Sequence, residues 1–183
     1  MASGPVATAA EFAIVEPASR RENRVDLVLV FSLAVHTLSM VIVLGYYGIL
    51  GRIVLPALRR SLDGAGVARS LVGIEHGARP FLVLSIAAFA ITGIYLTFAD
   101  EQYEGLVAIG GSSWTTLILL KHLFVAGVVG LGLLLDRMIE GLAGWEAGPP
   151  ESSVRTVGLL AEGITALGAI VILLTAAAQL SPS

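Results

Sequence analysis

Apolar side chains dominate four stretches of the chain. Residues 27–51 and 81–99 contain no Asp, Glu, Lys or Arg; residues 114–135 are interrupted by Lys121 alone, and residues 157–180 by Glu162 alone. Crossing a hydrocarbon layer ~30 Å thick takes about 20 helical residues, and each stretch is that long. The runs are too long for strands and do not alternate apolar with polar positions. The pattern predicts an all-α fold, an integral membrane four-helix bundle, with helices over about 27–51, 80–99, 114–136 and 157–180 in one membrane domain (26–183). Asp26 is suited to cap the first helix. Pro80 is suited to the first turn of the second, and Ser112 or Ser113 to capping the third. Ile53, Val54, Leu55 and Leu58 extend an apolar side of the first helix toward Arg60 despite Pro56.

Charge orients the bundle. The first loop carries Arg52, Arg59, Arg60, Arg69 and Arg79; the second carries Asp100, Glu101 and Glu104 and no basic residue; the third carries Arg137 and Arg155. The excess of basic residues marks the cytoplasmic side. The first and third loops are therefore expected in the cytoplasm and both termini outside, in a cell inner membrane. Arg20, Arg21 and Arg24, ahead of the first span, run against this count. Residues 1–25 read as a loosely structured tail. They are not a secretory signal, because Glu11 interrupts the apolar run from Val6 to Val15. Trp145 is suited to anchor the third loop at the interface.

Composition narrows the chemistry. Of 183 residues, 56% are hydrophobic and 14% charged, with a mean hydropathy of +0.87. This excludes a disordered chain, an ordinary soluble enzyme and a nucleic-acid binder. The absence of Cys excludes disulfides, iron–sulfur clusters, thiolate metal sites and cysteine nucleophiles. No nucleophile–base pair, phosphate loop or pair of catalytic carboxylates is visible, which favours a non-catalytic redox or accessory subunit over an enzyme.

Histidine is the residue that carries function within the spans. His36 lies ~13 Å along the first helix and His122 ~12 Å along the third, and these two helices run in the same direction. The two imidazoles are therefore expected at one depth, whichever way the protein faces. Two neutral imidazoles level with each other can ligate one haem iron, here a haem b, from opposite sides. Ala126, Gly127 and Gly130 leave room for a macrocycle, while Gly45 and Gly48 read as helix-packing positions. Ser85, Ala88, Thr92 and Tyr95 form a stripe on the second helix, and Thr165, Gly168, Thr175 and Gln179 one on the fourth. Both are placed to hold the outer imidazole nitrogens. Lys121, Arg24 and Gln179 are candidates to meet haem propionates. Polar packing without a cofactor, a proton relay and copper are the other readings. Copper would use His36, Met40 (one turn on) and His122. His76 reads as a solvated loop residue, Glu75 and Arg79 as a pair four residues apart, and Glu162 as a partner for Arg52, Arg79 or His76.

Three segments resemble a known family. His36-Thr-Leu-Ser-Met-Val-Ile-Val-Leu-Gly45, followed by Arg52-Ile-Val-Leu-Pro56-Ala-Leu-Arg-Arg60, resembles the first span of the copper resistance protein D (CopD-like) membrane superfamily. Leu120-Lys121-His122, running on to Asp136-Arg137, looks like a later span of that family, and Thr92-Gly93-Ile-Tyr-Leu is similar to its "TG" span. The similarity covers roughly residues 25–137. It implies copper uptake or tolerance. It also implies kinship with HemJ-type four-span proteins, which bind haem b through a first-span histidine, the position of His36; His122 would be the second ligand. Sequence thus points to a haem-binding electron-transfer or anchoring subunit of a larger respiratory or photosynthetic complex. Its expected surroundings are lipid, other membrane or redox subunits and a quinone. Copper transport and a haem-free accessory subunit are the alternatives.

Overall fold

A computed structural model describes residues 18–99, 113–145 and 148–180. Within these, the chain is a bundle of long helices with no strand. α1 (Ala18–Ile49) passes through a π-helical turn (Leu50–Val54) into α2 (Leu55–Ser61), and α3 (Gly64–Ala99), α4 (Ser113–Leu142) and α5 (Glu151–Gln179) follow. With α1 and α2 as one helical run, four helices are long and apolar enough to cross a membrane. The protein is therefore a multi-pass membrane protein. The 1–17 tail and the acidic second loop with Ser112 lie outside the described residues, as do the side chains of Arg20, Arg21, Arg24 and Gln179.

Every helix overruns the span expected for it. α1 begins at Ala18, so Asp26 is internal and not a cap. Pro80 lies in the interior of α3 and does not open it. Its missing N–H and its ring deny the His76 carbonyl its helical partner, and the helix continues because both flanks are held by packing. At 36 residues α3 is about 54 Å long, well beyond the hydrocarbon thickness, so its charged first half projects at the membrane edge. The π turn places one extra residue just before Pro56, where the proline ring would collide with the carbonyl four residues back.

The connections at this end are short and determined by local chemistry. Only Leu62 and Asp63 separate α2 from α3. Asp63 caps α3, its Oδ1 accepting the Gly66 N–H at 2.7 Å. Before α5, Gly148 has φ +90°, and a Cβ there would meet the Ala65 nitrogen at 3.0 Å. Glycine is required on both counts. Arg59 reaches Glu151 in the first turn of α5 at 2.6 Å, an exposed pair worth at most about 1 kcal/mol.

Packing is uneven along the bundle. α1 packs chiefly on α3 and α4 on α5, and the seam between α3 and α4 makes sparser contact. Leu50, Leu71, Leu135, Ile139, Val157 and Ile164 are fully buried and form the core at the arginine-rich end. Toward the other end, on the side of His36 and His122, exposed apolar residues are frequent: Leu38, Ile91, Phe98, Leu123 and Leu173 are each more than half exposed. A water-facing surface would not carry so broad an apolar band; a lipid-facing one does.

Candidate functional site

His36 turns toward α3. Its Nδ1 lies 3.1 Å from the Phe89 carbonyl oxygen and 3.1 Å from Thr92 Oγ1. The ring stacks on Phe89 with centroids 4.1 Å apart. Thr92 Oγ1 donates its own proton to the Ala88 carbonyl at 2.6 Å, so it can only accept from the imidazole. With two acceptors on Nδ1, the hydrogen-bond network assigns the proton to Nδ1 and leaves the lone pair on Nε2. Gly93 permits this approach, since a Cβ there would stand 2.9 Å from His36 Cε1.

His122 repeats the arrangement on α4. Its Nδ1 donates to the Ile118 carbonyl, one turn back, at 2.7 Å, and Nε2 is again the atom with an open lone pair. Among the described residues, Nε2 of neither ring takes a hydrogen-bond partner. Lys121 and His122 lie within electrostatic range of His36. The rings differ in setting: His36 is half-buried against α3, whereas His122 is exposed on the bundle surface.

The interior beside them is small. A cavity of about 40 Å³, bordered by Met40, Leu44, Phe89, Val125 and Gly168, lies between the helices. It has room for about one water-sized group, and neither imidazole borders it. Of the two polar stripes, Thr92 reaches a histidine. Thr165 and Thr175 turn back onto their own helix, to the Ala161 and Val171 carbonyls. Gly48 faces Thr165 and Gly127 faces Leu167, while a Cβ at Gly45 or Gly130 would meet nothing within 4 Å. Gly45 is therefore not a packing glycine. Among the described residues, no three of His, Asp and Glu converge as a metal-binding group.

A second polar cluster lies at the opposite end of the spans. Glu75 is 4% exposed and accepts a hydrogen bond from the Tyr46 hydroxyl. Arg79 does not pair with Glu75 four residues away. It forks instead to Asp136 at 3.0 Å and Glu140 at 2.6 Å on α4. Glu162 is exposed and borders a groove with Arg59, Arg60 and Arg155, so its surroundings are basic but are not the partners expected for it. Asp136 gives one carboxylate oxygen to Arg79; the other, Oδ1, is buried without a partner among the described residues. Tyr47, 4% exposed, sits within electrostatic range of Glu75 and Asp136. Its hydroxyl approaches Gly132, where a Cβ would lie 3.0 Å away.

Sequence reasoning missed this cluster. The available signal was a Tyr46-Tyr47 pair inside an uncharged span, with Glu75, Arg79 and Asp136 all at span ends on the same side. No family model, curated protein or solved structure matches the chain.

Proposed function

We propose that this protein binds one b-type haem in the membrane, with His36 and His122 as the residues that would hold it, and serves as an electron-transfer or anchoring subunit of a larger redox complex. The observation that carries the reading is the shared state of the two imidazoles. Each holds its Nδ1 proton on a backbone carbonyl and keeps Nε2 open, the state a metal-ligating histidine requires. The resemblance of their surroundings to CopD-like and HemJ-type spans points the same way. The donor set fits haem iron, which supplies one-electron chemistry when bound. The closed interior is too small for a macrocycle and His122 is exposed, so the ring would be accommodated at the lipid-facing surface beside His122. A single haem near one face cannot carry an electron across the whole bilayer, so a quinone or a second redox subunit would complete the path. By the basic-residue count, the site lies toward the outer face of a cytoplasmic membrane, with both termini outside.

The test is the visible spectrum of the purified protein. A Soret band that shifts on reduction is expected. It should be lost in His36→Ala and in His122→Ala and retained in His76→Ala. Stoichiometric copper without porphyrin would replace this reading with the copper one, in which Met40 joins the histidines. A colourless, metal-free protein that purifies only with other subunits would leave the accessory role.

A further inference from the structure

A groove of about 400 Å³ runs along the seam between α3 and α4, with α1 as its floor. Its walls are apolar over most of its length, formed by Leu82, Ile86, Ala90, Val128 and Val129, and its rim at Val83 and Leu133 is 60% and 57% exposed. The groove therefore opens sideways, into acyl chains rather than water. One end is polar, bordered by Tyr47, Glu75, Arg79 and Asp136. This is the size and make-up of a small-molecule site: mostly apolar, with a few converging polar groups.

Buried polar groups in folded proteins are nearly always paired, yet Asp136 Oδ1 has no partner among the described residues, and Tyr47, more than nine-tenths buried, faces the same groove from another helix. We propose that the α3–α4 groove binds a neutral, hydroxyl-headed lipid-soluble molecule, with its head between Tyr47 and Asp136 and its tail along the apolar walls past Ile86 and Ala90.

The chemistry selects this class. Asp136 Oδ1 is an acceptor and needs an O–H or N–H donor. Tyr47 can donate or accept, so one hydroxyl can donate to Asp136 Oδ1 while accepting from Tyr47. A phosphate or carboxylate head would meet two carboxylates, Glu75 and Asp136, against the single guanidinium of Arg79. An ammonium head would find the carboxylates already engaged, Glu75 by Tyr46 and Asp136 by Arg79, and would lose its hydration in an apolar groove. The assignment is independent of the haem reading, because the groove contains neither His36 nor His122.

The experiment measures binding of a decyl-tailed benzoquinol to the full-length protein in lipid nanodiscs, with geranylgeraniol, palmitate, dodecylamine and hexadecane as competitors. Saturable quinol binding is expected. Tyr47→Phe should weaken it about fivefold, the worth of one hydrogen bond. Ala90→Leu fills the tail channel from an exposed position and should abolish it, with circular dichroism unchanged. Geranylgeraniol, a single-hydroxyl lipid, should compete for the site and lose affinity in Tyr47→Phe by the same factor; its failure to compete would overturn the proposal. Binding unaffected by both substitutions, or displaced equally well by hexadecane, palmitate or dodecylamine, would overturn the proposal. A haem-free protein that still binds quinol would leave it intact.

Discussion

A Cβ added at Gly168 would lie 2.1 Å from Leu44 Cδ2 and 2.9 Å from its Cγ. The whole Leu44 side chain would have to move, and the small cavity it borders takes part of the displacement. Gly168→Ala should therefore cost about 1–3 kcal/mol. Leu44→Ala in the same chain should recover most of that loss, which a double-mutant cycle of detergent unfolding reads directly. Gly93 makes the same kind of allowance for function. Gly93→Ala would press on His36 Cε1 and push the ring off Phe89. The expected result is a weakened Soret band with a smaller change in thermal stability than Gly168→Ala produces. Equal loss of both would mean that His36 serves packing alone.

At the scale of elements, α3 and α4 meet along a sparse seam whose polar tie is the Arg79 fork to Asp136 and Glu140. Arg79 is solvent-exposed, so the tie should be screened by salt. Arg79→Ala should lower the melting temperature at low ionic strength, and the difference from the parent should shrink at 1 M salt. If the gap is independent of salt, the contribution is steric. This seam also marks the limit of what the sequence reveals. Uninterrupted apolar runs disclose a membrane span directly, because hydrocarbon tolerates no unpaired backbone, and all four were legible. The overhangs were not. Glu75, His76 and Arg79 read as loop, and Pro80 as a start, yet α3 runs through them because its first half packs Leu71 and Val67 into the core. The level placement expected of His36 and His122 rests on helical rise alone. The direction each ring turns depends on Phe89, Thr92 and Gly93, more than fifty residues away from His36, which no local pattern encodes. The same holds for Tyr46 with Glu75.

Taken whole, the bundle is two antiparallel pairs, α1 with α3 and α4 with α5, each better packed internally than across the α3–α4 seam. Separately expressed segments 1–106 and 107–183 should accordingly reassemble in the membrane, and a tag on one should retrieve the other. Failure to co-purify would mean that the link between the pairs does more than tether them. The two-residue turn at Leu62 and Asp63 has a consequence for biosynthesis. So brief a tether commits the first pair to enter the translocon as a wedge rather than as successive rods. Tyr46 shelters the Glu75 carboxyl within that wedge, so this acidic group crosses no lipid alone. Arg79 meets its carboxylates only when α4 arrives, and until then its charge stands bare at the end of the nascent hairpin.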